Sequence, residues 1–197
     1  MNYKELVFDD SDEFDVMAVD RKKDRVTITV ASKQQGNDCP ICGMKSSKVH
    51  SYYTRSLMDL PMLGHESWIK LRARKFYCYN DTCSGRVFTE RFRKQFKSGK
   101  RITERVRDKV LKVALHMGGN GGEKICRLMN IPVSSSTLIR SIHQAPLPPI
   151  TSPRVLGLDD WAYKKRLKYG TALIDLEKRR IIELLPDREA ATVENWL

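Results

Sequence analysis

No apolar run in the 197-residue chain approaches the roughly 20 residues that a bilayer-spanning helix needs. The acidic opening, MNYKELVFDD, has no apolar core of the kind a signal peptide carries. Both absences argue against membrane insertion and export, so a reducing cytoplasm is the expected compartment. Internal repeats and low-complexity tracts are also missing. Acidic residues are scarce beside basic ones, with 24 Asp+Glu against 36 Lys+Arg and a net charge of +12. That excess is larger than solubility requires and points to a polyanionic partner, nucleic acid before membrane. A hydrophobic content of 41% is enough for small cores, and the length allows one large domain or two to three small ones.

Four of the five cysteines fall in two knuckles, Cys39-Pro40-Ile41-Cys42 followed by Gly43, and Cys78-Tyr79-Asn80-Asp81-Thr82-Cys83. In a reducing compartment such pairs bind metal more often than they form disulfides. A tight turn aims both thiolates of a knuckle at one ion, so Cys39, Cys42, Cys78 and Cys83 are the expected ligands of a tetrahedral zinc. Four thiolates close the coordination shell, which makes the zinc structural. Between the knuckles, residues 67–74 alternate apolar and basic side chains, as a half-buried strand does. Cys126 stands alone among Ile125, Leu128 and Met129 and reads as a core residue of a helix.

Ahead of the knuckles, residues 16–19 and 26–30 alternate like strands, with the charged run 20–24 as their turn. From Arg91 the chain becomes strongly basic, with Arg93, Lys94, Lys97, Lys100, Arg101, Arg105, Arg107, Lys109 and Lys112. The part near Ser98 and Gly99 reads as a connector. Thr103 then caps a helix that carries Val106, Val110, Val113 and Met117 and stops at Gly118-Gly119. A second short helix fits 123–130, a turn fits 131–133, and Ser134 or Ser135 caps a third helix with Leu138, Ile139 and Ile142. Two short helices after a longer one suggest a helix-turn-helix. Its last helix would meet duplex DNA through Ser134, Ser135, Ser136, Thr137 and Arg140, with Arg101 and Arg105 nearby. Residues 145–153 hold four prolines and read as a semi-rigid linker. Beyond it, 155–160 looks like a buried strand that delivers Asp159 and Asp160. Strands at 169–176 and 181–185 follow, and a helix starts at Glu189.

In this order the motifs resemble bacterial insertion-sequence transposases of the ISL-three group, which carry an N-terminal zinc finger, a helix-turn-helix and a DDE domain. The likeness rests on CPICG from Cys39, VHSYYTR and DLP in 49–61, FYCYNDTC and VFTER. It continues through GLDDWAYKKRLKYGTALIDLE from Gly157 and LLPDREAATVENWL from Leu184. The resemblance implies a multidomain α+β chain. A β-rich four-cysteine zinc ribbon would fill 1–95 and a three-helix helix-turn-helix 96–144. After a linker at 145–153, residues 154–197 would be the β-β-β-α opening of an incomplete RNase-H-like domain. It also implies binding to the element's terminal inverted repeats and chemistry by Mg²⁺ or Mn²⁺ held on three acids. Asp159 matches the first acid, with Asp160 beside it in support. Asp175, Glu183 and Asp187 come too early for the other two. The expectation is therefore the N-terminal part of a transposase, able to bind DNA and not to cut it, and open to homo-oligomer formation. Two other readings stand beside it: a stand-alone DNA-binding regulator, and a basic zinc-ribbon module for RNA or protein.

Overall fold

Residues 67–74 do form a strand, as one stretch of a long hairpin that organises the first part of the molecule. In this computed structural model, residues 13–92, 96–147, 149, 152–164 and 167–197 are described. The acidic opening, Arg93 and Lys94 of the basic run, and Pro148 of the expected linker lie outside the described residues. Two units are present, Met1–Ala145 and Pro146–Leu197.

In the first unit the strands are β1 (Phe14–Lys22), β2 (Arg25–Ser32), β3 (Asn37–Asp38), β4 (Lys45–Ser46), β5 (Val49–Met62), β6 (His65–Tyr77) and β7 (Val87–Thr89). The main sheet runs β1-β2-β6-β5, with β7 pairing the end of β6. β2 and β6 are parallel and the other pairs antiparallel. The β5–β6 hairpin closes through Leu63-Gly64, both at positive φ (51° and 76°), the primed turn that suits twisted strands. One face of the sheet buries Val26, Ile28, Val30, Leu57, Ile69, Leu71 and Ala73 with Phe14, Phe92 and Phe96. The stretch from Arg91 to Gly99 is thus more than a connector: Phe92 and Phe96 plug this core, their rings 6.1 Å apart.

Two helices follow, α1 (Glu104–Leu128) and α2 (Ser135–His143). α1 is interrupted at Gly118 (φ 65°, ψ −162°), a conformation that glycine adopts without steric penalty. Its second part resumes directly after the break, where the sequence suggested a restart only at Glu123. The helix ends with Asn130 at φ 57°, its N–H bonded to the Arg127 carbonyl and that of Ile131 to the Cys126 carbonyl. This is the double bond of a Schellman cap. Val106, Val110, Ala114, Cys126, Ile131 and Leu138 form a second core, and Met58 from β5 belongs to it. Leu57 and Met58 therefore point to opposite faces of the sheet, one into each core. Cys126 is fully buried there, in keeping with a packing role, and burial pushes its thiol pKa up.

In the second unit β8 (Leu156–Lys164), β9 (Lys168–Asp175) and β10 (Arg180–Leu185) form an antiparallel sheet ordered β10-β9-β8, followed by α3 (Ala190–Glu194). The expected buried strand at 155–160 is corrected: β8 pairs only with β9 and most of it is exposed, Asp159 included. Burial falls instead on β9, at the centre, through Ala172 and Leu173.

Candidate metal centre and nucleic-acid interface

Each knuckle is held by its own backbone. In the first, the Gly43 N–H donates to the Cys39 carbonyl (2.8 Å) and the Cys39 N–H to the Met44 carbonyl (2.9 Å). Gly43 turns the chain at φ 76°. In the second, Asn80 Oδ1 accepts from the Thr82 N–H (3.0 Å) and hydroxyl (2.7 Å), and the Cys83 N–H reaches the Asn80 carbonyl (3.0 Å). The long hairpin returns the chain so that the knuckles meet over Phe76, Phe88 and Val49.

All four sulfurs lie within 4.8 Å of one another. Cys39 and Cys83 are separated by 3.9 Å and Cys42 and Cys78 by 3.5 Å. Zn–S bonds of 2.3 Å in a tetrahedron put the sulfurs about 3.8 Å apart, so the donor set fits zinc. Disulfides, at about 2.05 Å, do not describe these contacts, and all five cysteines are free. The Met44 N–H, as the largest influence, helps bring the Cys42 thiol down to about 6. Cys78 moves the other way, to about 12. A backbone hydrogen bond at Asn80 works downward, but burial and the neighbouring thiols outweigh it. Four sulfurs this close resist carrying four charges, and a divalent cation among them removes that conflict. His50 and His65 are not in the cluster. His50 packs on Tyr77, and His65 sits at the hairpin turn, 2.9 Å from Arg21.

The expected DNA-contacting residues fall into three groups. Arg101, Ser134, Thr137 and Arg140 line one groove of about 680 Å³, together with Lys100, Arg107, Gln144 and the Trp68 ring. Its outer wall is pinned to the sheet: the Met58 N–H bonds the Arg101 carbonyl (2.9 Å) and the Thr103 N–H the Met58 carbonyl (3.0 Å). Ser135 and Ser136 border a second concavity beside Ile139, Arg140 and His143. Ser134 caps α2 by accepting from the Thr137 N–H, and Glu123 accepts from the Ser135 N–H (2.8 Å). Arg105, expected on the DNA face, is held inside the fold. Its guanidinium grips both oxygens of Asp59, which is 1% exposed. Thr103 sits at the N-cap but makes no side-chain cap, because its hydroxyl donates to the same carboxylate (2.7 Å).

The sequence places Lys100 and Arg107 only in the basic run and Ile139 only among the apolar residues of a helix, and it does not single out Trp68 or His143; the structure brings all five to the two concavities. The spacing of Ser136, Ile139, Arg140 and His143 is a helical stripe that periodicity could have shown. Trp68 and Arg107 reach the groove only through tertiary packing.

In the second unit Asp159, Asp160, Thr171, Arg188 and Glu194 border a shallow cavity of about 560 Å³. Asp160 pairs with Arg188 at 3.2 Å, and Asp159 accepts from the Asp160 N–H at 2.8 Å. Among the described residues, the four cysteines are the one group of His, Cys, Asp or Glu side chains gathered closely enough to hold a metal. No helix among them is long and apolar enough to cross a membrane.

Residues 35–83, which contain both knuckles and the whole β5–β6 hairpin, match the family model of the zinc-finger of transposase IS204/IS1001/IS1096/IS1165. Comparison with curated proteins and with solved structures finds no match. The segment is thus similar to a transposase zinc ribbon, and its cysteine cluster fits a structural zinc.

Proposed function

We propose that this chain is the DNA-binding part of an insertion-sequence transposase and that it recognises the element's terminal inverted repeats. The observation that carries the reading is the basic groove of Arg101, Arg107, Arg140 and Lys100, which belongs to the same unit as a transposase-type zinc ribbon. Polar hydroxyls and guanidinium groups converge there, the chemistry that phosphates and base edges accept. In this reading the two parts of α1 and α2 act as a helix-turn-helix within 96–144. α2 enters the major groove and Arg140, Ser136 and Thr137 reach the bases. Arg101 and Arg107 contact phosphates, and Arg105 keeps α1 seated. Residues 154–197 are the opening of an RNase-H-like domain, supported by three consecutive antiparallel strands and a helix. Asp159 would be the first acid of a site for Mg²⁺ or Mn²⁺, ions that activate a water or 3′-hydroxyl in phosphodiester attack.

Two substitutions test the groove. Arg140→Ala should weaken duplex binding by about 1–3 kcal/mol and relax specificity at one position. Arg101→Ala should weaken all duplexes alike and reduce the salt dependence by about one phosphate contact. Wild-type affinity in both variants would place the groove away from DNA.

A further inference from the structure

The sheet face on which the helices sit continues past them. Strand alternation puts Arg25, Thr27 and Thr29 of β2 on this face, opposite Val26, Ile28 and Val30. From β6 it takes Glu66, Trp68, Lys70 and Arg72, opposite Ile69 and Leu71. Their neighbours on β5 are Met58 beside Trp68, Ser56 beside Lys70 and Thr54 beside Arg72. Two contacts agree with this assignment: the Arg25 guanidinium lies 5.0 Å over the Trp68 ring, and that of Arg72 lies 4.7 Å over the Tyr52 ring. At one end, Met58 and Trp68 pack into the helical core and form part of the basic groove. At the other, Arg74 closes the face by pairing with the buried Glu90, next to Phe76 under the cysteine cluster. Between these ends the face is open, with Thr54, Ser56, Lys70 and Arg72 exposed.

The open stretch is cationic and rich in hydroxyls. Lys70 stands between Ser56 on β5 and Thr29 on β2, and Arg72 has Thr54 at its side. At the rise of a strand, Lys70 and Arg72 lie about 7 and 14 Å beyond Trp68, in line with the groove. The carboxylates of this face lie outside the stretch. Glu66, on the other side of Trp68, pairs with Arg25 at 3.1 Å and accepts from the Trp68 indole N–H at 3.5 Å. Asp20 is on the outer strand β1, two strands from β6 and two residues from Lys22. What remains is an ammonium, a guanidinium and hydroxyls, the groups that hold phosphate oxygens.

We propose that this open face carries the backbone of the duplex onward from the groove, with Lys70 and Arg72 each holding a phosphate. The charge of the face names a polyanion as the partner, and its continuity with the groove through Trp68 makes that partner the same DNA; to that extent the proposal rests on the reading of the groove as a duplex site. Phosphates are alike at every base pair, so these contacts add affinity and fix register while α2 selects the sequence. An acidic polypeptide finds no free strand edge here, because β2 and β6 are each paired on both sides.

The zinc-loaded full chain is titrated into fluorescent duplexes carrying the inverted repeats and into scrambled duplexes, across a salt series, with binding read by anisotropy. Lys70→Gln and Arg72→Gln should each lower affinity about fivefold for both duplexes and reduce the slope of log K against log salt by about 0.9, and the double variant by about 1.8. Lys70→Arg should bind as wild type. Lys45→Gln, which loses the same charge on β4 outside the main sheet, should do so too. All these side chains lie outside the cores, so the circular dichroism of each variant should be that of wild type. Affinity and slope unchanged in Lys70→Gln and Arg72→Gln overturn the proposal, while a loss in Arg140→Ala still upholds the groove. An equal loss in Lys45→Gln assigns the effect to net charge and overturns the proposal as well. Poly-glutamate bound as tightly as the duplex, with the same dependence on Lys70 and Arg72, overturns the assignment to DNA. Losses in the Lys70 and Arg72 variants beside wild-type binding in Arg101→Ala and Arg140→Ala uphold the face and remove the groove reading instead. Absence of any duplex binding removes both.

Discussion

Asp59 on β5 accepts hydrogen bonds from Thr103 Oγ1 and Arg105 Nε, each at 2.7 Å, across 44 and 46 residues of chain. One buried carboxylate thereby holds the first turn of α1 against the hairpin, where Met58 enters the helical core. The positioning of the groove depends on this strut, because the segment 99–102 forms its wall.

Asp59→Ala should cost about 3 kcal/mol, since it strands Arg105 and Thr103 without their acceptor. The value sits at the low end for a broken buried pair because Arg105 keeps some water contact. Urea unfolding checks it; a loss under about 1 kcal/mol would mean that apolar packing alone seats the helix.

Zinc should bind at about one ion per chain and be coupled to folding of the knuckles. Metal analysis and circular dichroism before and after chelation test this. Cys39→Ser should lose the ion and loosen the layer of Phe76 and Phe88. Full retention of fold after zinc removal would contradict a structural role.

Leu63 adopts φ 51° in the hairpin turn and is 87% exposed, so its side chain contributes no packing to offset left-handed backbone. Leu63→Asn creates the Asn-Gly pair that primed turns favour. It should raise stability by about 1 kcal/mol, read as a higher denaturation midpoint. A lower midpoint would place the turn in another conformation.

Glu123 is held below the ordinary carboxylate range, chiefly by the Ser135 N–H and further by Arg127. The ionised form therefore stabilises the packing of α2 on α1. That contribution is complete above about pH 4.5, the unfolded value, and disappears as pH falls through the lowered one. Glu123→Gln should flatten the fall of Tm over roughly pH 3 to 5; an unchanged acid slope would assign the effect elsewhere.

The cysteine knuckles were legible because metal ligands obey local spacing, and so were the paired strands β1 and β2. The break at Gly118 and the cap at Ser134 were legible through backbone chemistry. β5 was not, because Tyr52, Tyr53 and Thr54 blur the alternation that marks a strand. The pairing of Arg105 was not legible either, because charge on a sequence carries no sign of a buried partner 46 residues away. Asp159 misled in part: its apolar neighbours suggested a buried strand, and β8 is an exposed edge.

Recognition of the element's ends is the function proposed for the groove and the zinc ribbon. Its most direct test is binding of the zinc-loaded chain to duplexes carrying the inverted repeats, against scrambled duplex, across a salt series. Recognition of the ends should show as a preference for the repeats that persists as salt rises, over a non-specific background that collapses. Equal and steeply salt-dependent binding to both duplexes would contradict it.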